Sequence, residues 1–283
     1  MKNPYLQLMR PKHWLKNILV LVPLIFSGRF IEPPLDVRAF LAFIAFSLAA
    51  SIIYIINDIN DVEKDRKHPT KCKRPIASGR VTVTASKHFA AFLALITIAL
   101  HAWLGTVPLL LIGVYAAMNI AYSCGLKTIP LVDITILAAG YIIRLYYGAL
   151  VCGVTISSWL YLTTLAGSFY LGLGKRRGEL DRSGSVSRRV LEYYSRPFLD
   201  KNMHIYMGLT IAFYALWARE QGNAMLWTVL LVMLIFMRYS LDIEGSSDAD
   251  PMEVITKDHI LLALASLYIV ITAGIIYIPR LVS

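Results

Sequence analysis

A chain of 283 residues that is 57% hydrophobic and 16% charged is not an ordinary soluble domain, in which about a quarter of residues are charged. The mean hydropathy of +0.59 points instead to a polytopic membrane protein. A net charge of +10 would suit nucleic acid, but the Lys and Arg are split among segments bounded by apolar runs, so the expected surroundings are membrane lipids and no nucleic acid.

A helix that crosses a bilayer needs about 20 mostly apolar residues. Nine stretches qualify, near 15–30, 38–57, 87–104, 107–125, 132–152, 155–174, 203–218, 223–240 and 259–278. The first is the weakest, being short and holding Pro23. The fourth and sixth are the strongest, because their apolar runs are uninterrupted. Arg10, Lys12 and Lys16 break the early sequence, so no signal peptide is expected. The fold class is therefore all-α, with about nine transmembrane helices in one integral-membrane domain over 1–283.

Basic residues set the orientation. With the N-terminus in the cytoplasm, 23 of the 28 Lys and Arg fall on the inner side and four on the outer, with Arg144 inside a span. The C-terminus is then outside. Loops longer than about 12–15 residues are usually functional or disordered. Here the long ones, 58–86, 175–202 and 241–258, all lie on the cytoplasmic side, so that side should carry the chemistry. The loop at 182–189 reads as mobile. Cys72, Cys124 and Cys152 have no metal or disulfide spacing, and His101 reads as a packed residue.

Asn57-Asp-Ile-Asn-Asp-Val-Glu-Lys-Asp65 closes the second span. On a continuous helix Asp58, Asp61 and Asp65 would stack on one face. Like charges so stacked call for a cation, and Mg²⁺ commonly bridges carboxylates to substrate phosphates; Mn²⁺ is the alternative. Asn57 is a candidate to bind phosphate or orient a carboxylate. The basic run that follows, with Lys73 and Arg74, supplies candidates for phosphate. The bland alternative is a solvated loop of mixed charge, which the cost of charge at a span's end disfavours.

Three further segments carry polar residues. Arg10-Pro-Lys-His-Trp-Leu-Lys-Asn17 places Lys12 and Lys16 beside Trp14, either as interfacial anchors or as a site for an anionic lipid headgroup. Tyr122, Lys127 and Asp133 lie between the fourth and fifth spans. Asp133 and Arg144 are eleven residues apart, three helical turns, and so share a face. Arg144 reads as a functional intramembrane cation or as half of a structural pair. Gly174-Lys-Arg-Arg-Gly-Glu-Leu-Asp181 offers Lys175 and Arg176 as phosphate contacts on a second wall of the site, or simply as an inner basic loop. Ser246–Pro251 is acidic and is assigned no chemistry.

Along its whole length the chain resembles the UbiA superfamily of intramembrane prenyltransferases, on Asn57, Asp58, Asp61 and Asp65 in that superfamily's NDxxDxxxD pattern and on the span layout. The resemblance implies a helical barrel around a central cavity open to the cytoplasm and Mg²⁺ on a diphosphate at the first aspartate motif. The aromatic branch has a second aspartate motif after the sixth span; here that place reads Lys175-Arg-Arg-Gly-Glu-Leu-Asp181. With the 10–17, 68–71, 122–133 and 175–180 segments, the chain is more similar to the decaprenyl-phosphate phosphoribosyltransferase branch. That implies transfer of 5-phosphoribose from phosphoribosyl diphosphate to a polyprenyl phosphate, toward lipid-linked pentose or arabinofuranose donors for cell-wall or other glycans. It also implies a pentosyltransferase in a bacterial cytoplasmic (inner) membrane, with a homo-oligomer admissible. On this reading Asp58, Asp61 and Asp65 hold the metal and carry catalysis. Asn57, Lys12, Lys16, Lys73, Arg74, Tyr122, Lys127, Asp133, Arg144, Lys175 and Arg176 bind or order the substrates. The competing expectations are an aromatic prenyltransferase of the same superfamily and, more remotely, a transporter of anionic solutes.

Overall fold

The computed structural model describes residues 3–183, 189–245, 254 and 257–282. All regular structure among them is helical, as expected. They group into two compact units. The sequence segments 184–188 and 246–251, which include most of the loop expected to be mobile and the acidic turn, lie outside the described residues.

The first unit comprises residues 1–24, 29–124 and 143–154. It opens with α1 (Pro4–Met9), capped by the Asn3 side chain, which accepts from the Tyr5 amide at 2.9 Å. Arg10 ends α1 in the left-handed conformation at φ 52° and ψ 60°. A 3₁₀ segment, Pro11–Val20, and a five-residue helix, α2 (Val22–Phe26), follow. The expected first span is therefore not one continuous helix. Its short apolar run never builds the repeated i to i+4 bonds that a span requires.

The next element, α3 (Leu35–Asn60), has 26 residues and a length of about 39 Å, longer than the roughly 30 Å hydrocarbon layer, so its polar end can stand clear of lipid. Ala39, Ala42, Ala45, Ala49 and Ala50 put a stripe of small residues on its buried face. Small residues let helix backbones approach closely in the absence of a hydrophobic driving force between lipid-bathed helices. Val20, Phe46, Ile53, Tyr115 and Tyr147 fill the core around that stripe. A short α4 (Val62–Arg66) precedes α5 (Val83–Leu104), whose Thr82 cap accepts from the Ala85 amide, and then α6 (Thr106–Cys124).

The second unit comprises residues 25–28, 125–142 and 155–283. Helix α7 (Val132–Cys152) contributes residues 132–142 to this unit and 143–152 to the first. After it come α8 (Ser158–Ser183), a 3₁₀ turn at Arg189–Tyr193, α9 (Arg196–Gln221), α10 (Asn223–Leu226), α11 (Thr228–Gly245) and α12 (His259–Val282). Helices α8 and α9 pack through stacked rings, Phe169 on Tyr206 at 5.0 Å and Trp159 on Phe213 at 6.2 Å. Gly172 and Gly174 pack closely on Ile134 and Ile243, whose side chains would have to shift to admit a Cβ.

Six helices are long and apolar enough to cross a membrane among the described residues, not nine. This is a multi-pass membrane protein. The expected spans at 155–174 and 203–218 are helical, within α8 and α9, but are less apolar than the six. The 155–174 run looked strong because it lacks charge; its Ser, Thr, Gly and Tyr residues dilute its hydropathy all the same. The expected loop at 175–202 likewise begins inside α8, where Arg176–Glu179 and Arg177–Asp181 pair three and four residues apart and extend the helix.

Candidate active site

In the first unit the aspartate motif straddles a helix break. Asp58 lies in the last turn of α3, Asp61 ends that helix at φ −96° and ψ 9°, and Asp65 lies in α4. The expected stacking of all three on one continuous helical face does not occur. Asp58 and Asp65 are buried, each 3% exposed, while Asp61 is partly exposed. One nitrogen serves both buried carboxylates: Arg74 Nη1 donates to Asp58 Oδ1 at 3.0 Å and to Asp65 Oδ2 at 2.6 Å. Arg10 donates to the same Asp58 oxygen. No group of three His, Cys, Asp or Glu is placed to hold a metal ion among the described residues.

Local structure explains how the arginines reach the aspartates. The Trp14 indole N–H donates to Met9 O at 3.2 Å and to Ser51 Oγ at 3.1 Å, which fastens the left-handed turn at Arg10 to α3. The Arg10 guanidinium then lies 5.1 Å from the Tyr54 ring, beside His13. Arg74 follows a 3₁₀ turn, Lys71–Lys73, in which the His68 ring nitrogen accepts from the Thr70 and Lys71 amides. Arg80 donates to Lys73 O at 2.8 Å, holding the backbone of that turn while the Lys73 side chain stays exposed. Asn57 Oδ1 accepts from Ser123 Oγ at 2.8 Å, which brings the Tyr122 end of α6 to the motif. Lys12 is exposed and Lys16 half-buried on the 3₁₀ segment.

Arg144 is 6% exposed. It donates to Asn17 Oδ1 at 2.7 Å and to the Tyr115 hydroxyl at 3.1 Å, and its guanidinium lies 5.0 Å from the Phe46 and Tyr115 rings. Asn17 in turn donates to Ser47 Oγ at 3.0 Å. Sharing a helical face does not pair Asp133 with Arg144, since eleven residues separate them by about 16 Å along α7.

In the second unit Asp133 pairs with Arg176, both side chains fully buried, at 2.6 Å. Arg176 also donates to Glu179 at 2.5 Å. The Tyr194 hydroxyl donates to the other Asp133 oxygen at 2.6 Å and accepts from the Leu131 amide at 2.7 Å. Burial, with the bond to Asp133, pushes the Tyr194 phenol well above its ordinary range, so it remains a proton donor at physiological pH. Leu131 has φ +67°, a conformation that costs a side-chain-bearing residue about 1–2 kcal/mol. Arg177 bonds Asp200 at 2.5 Å, Asp181 at 3.0 Å and Ile243 O at 3.3 Å. Lys127 and Lys175 are half-buried. Arg176, expected as a phosphate contact, is thus engaged by two carboxylates of its own unit.

Residues 20–254 match the UbiA prenyltransferase family. The chain belongs to that family. It is 34% identical over 288 residues to the decaprenyl-phosphate phosphoribosyltransferase of Mycolicibacterium smegmatis, covering 95% of this chain and 91% of that protein. It is 35% identical to the protein of the same name from Mycobacterium tuberculosis, with 92% and 90% covered. In fold it is similar to a UbiA homolog from Archaeoglobus fulgidus solved bound to DMAPP and Mg²⁺, at a TM-score of 0.75 and 16% identity over 97% of this chain and 99% of that one.

At this candidate site Asp58 and Asp65 offer hard oxygen donors and already share one cationic nitrogen. That donor set fits Mg²⁺, which uses one or two carboxylates and completes its shell with water and substrate phosphate. Sequence reasoning did not single out Arg10, Asn17, Arg177 or Tyr194. Arg10 had a signal in the Arg-Pro pair that opens the basic segment. Asn17 had one as a polar residue at the start of an apolar run. Tyr194 had none, because its role depends on a contact 63 positions away.

Proposed function

We propose that this UbiA-family chain transfers 5-phosphoribose from phosphoribosyl diphosphate to decaprenyl phosphate or a similar polyprenyl phosphate. The observation that carries the reading is the pair of buried carboxylates, Asp58 and Asp65, that share the Arg74 guanidinium, with Arg10 also on Asp58. Its support is the likeness to decaprenyl-phosphate phosphoribosyltransferases over nearly the whole chain.

In the transfer, an oxygen of the lipid phosphate forms a bond to C1 of the ribose while the bond from C1 to the diphosphate breaks. Diphosphate leaves. The lipid phosphate's second pKa is about 6, so at neutral pH it is mostly ionised and needs no general base. Mg²⁺, or Mn²⁺ in its place, would be held by Asp58 and Asp65 with Asp61 in support, and would neutralise charge on the departing diphosphate. Arg10 bonds Asp58 and Arg74 bonds both Asp58 and Asp65, and their planar donors also suit phosphate oxygens. Lys73 is an exposed cation on the same turn, and Asn57, bonded by Ser123 next to Tyr122, orders the end of α3. Lys12, Lys16 and Arg144 are the candidates to bind the lipid phosphate, and Lys127 and Lys175 to bind a phosphate of either substrate. Asp133 and Arg176, held in their own ion pair, order the structure around them. The 23-to-4 bias of basic residues supports an inner-membrane orientation with the N-terminus and loops cytoplasmic and the C-terminus outside. The product would serve as a lipid-linked pentose donor for glycan synthesis.

A label-transfer assay on purified protein tests the proposal. Labelled phosphoribosyl diphosphate should pass its sugar to polyprenyl phosphate, EDTA should stop it, and Asp58→Ala or Asp65→Ala should abolish it in folded protein. Near-normal turnover in either variant overturns the metal assignment. Label moving only from prenyl diphosphate to 4-hydroxybenzoate overturns the choice of substrates.

A further inference from the structure

The Tyr194 hydroxyl performs two tasks at once. It accepts the amide of Leu131, the residue with φ +67°, and it donates to the buried Asp133 carboxylate. Asp133 is fixed in turn by Arg176. The Tyr194 ring is held separately from its hydroxyl: it is 5% exposed, packs in the unit's core and stacks on Phe198 at 5.9 Å and 11°. The segment tied down in this way is the turn from Leu126 to Leu131, which contains the 3₁₀ element Leu126–Thr128 and one cation, Lys127. A left-handed leucine after Pro130 is not a conformation the turn would keep by its own preference. The hydroxyl supplies the side-chain bond to the Leu131 amide, beside the turn's own local bonds.

We infer that Tyr194 is a positioning residue for the transfer: its hydroxyl locks the 126–131 turn onto the Asp133–Arg176 pair, so that Lys127 meets a substrate phosphate from a fixed place. This rests on the proposed function, in which Lys127 binds a phosphate of either the sugar donor or the lipid acceptor. Both sources present the same chemistry to an ammonium group. The lock matters because a flexible lysine on a loose turn would have to be ordered anew at each binding event, which weakens binding without touching the bond-making step.

The test uses Tyr194→Phe, which removes the two hydrogen bonds and keeps the stacked ring. Steady-state kinetics on the full-length enzyme, with donor and acceptor varied in turn, should show one KM raised about tenfold and kcat within about twofold. Which KM moves identifies the substrate that Lys127 meets. Lys127→Ala should raise the same KM, and the double variant should be no worse than Lys127→Ala alone, because the hydroxyl acts through that lysine. Lys127→Arg should keep most of the affinity. Amide exchange over 125–131 should speed up in Tyr194→Phe by a larger factor than exchange elsewhere in the second unit. Unchanged KM values, effects that multiply in the double variant, or a fall in kcat alone would each overturn the inference. If the unmodified protein moved no phosphoribose to lipid phosphate, the proposed function itself would fall; an active parent with an indifferent Tyr194→Phe sinks only the positioning role.

Discussion

Replacing Arg176 by methionine should destabilise the protein more than it alters substrate binding. Both members of the Asp133–Arg176 pair are fully buried, with 2.6 Å between them. Removing one partner of a buried pair strands the other's charge, at a cost of about 3–5 kcal/mol. The two directions are unequal here. Without Arg176, Asp133 keeps a neutral phenol donor at 2.6 Å; without the Asp133 charge, Arg176 keeps the Glu179 carboxylate at 2.5 Å. Asp133→Asn should therefore cost less, about 1–3 kcal/mol, and Arg176→Met the full amount. The combination Asp133→Asn with Arg176→Met should be more stable than Arg176→Met alone, because the amide carries no charge and still accepts the Tyr194 hydroxyl. Thermal unfolding of the four proteins in one detergent, treated as a double-mutant cycle, reads this directly. Simple additivity, or an Arg176→Met variant as stable as the parent, would refute the buried-pair argument. A raised KM with unchanged stability would go further and restore Arg176 as a phosphate ligand.

Two other outcomes follow from the packing and the charges. A Cβ added at Gly148 in α7 would lie 1.8 Å from the Val20 carbonyl oxygen, whereas one at Gly113 meets nothing within 4 Å. Gly148→Ala should thus lower stability by about 1–3 kcal/mol or more through overpacking, and Gly113→Ala should be neutral or gain up to about 1 kcal/mol in helix propensity; equal thermal midpoints would refute this. Asp258, just before α12, accepts the Leu261 amide at 2.8 Å and Arg238 at 2.6 Å, and chiefly the amide bond holds its carboxyl down at about 2. A depressed carboxyl stabilises the fold above its unfolded value of about 4 and loses that contribution as pH falls toward the folded value. The stability gap between the parent and Asp258→Asn should be full at neutral pH and close between pH about 4 and 2; a gap that stays constant to acid pH would refute it.

Much of the architecture was legible in the linear pattern, because a lipid environment enforces it. Backbone groups must bond internally in hydrocarbon, so long apolar runs become helices, and α3, α5, α6, α7, α11 and α12 fall where the hydropathy placed them. The aspartate motif was legible for a similar reason: Asp58 and Asp65 stand at a span's end, where charge needs a partner. Spacing failed where it was asked to choose partners. Eleven residues put Asp133 and Arg144 on one face of one helix, yet each finds its partners on other elements, Arg176 and Tyr194 for the first, Asn17 and Tyr115 for the second. Helical periodicity also could not foresee that α3 ends at Asp61, nor that Arg10 and Arg74 would close on one carboxylate from 48 and 16 positions away. The sequence by itself determined which segments are helices, which loops are charged and which residues can bear the chemistry, since those follow from local hydrogen bonding and transfer from water. Only the tertiary structure decided which charge meets which, because a buried ion is stable only beside the particular partner that folding brings to it.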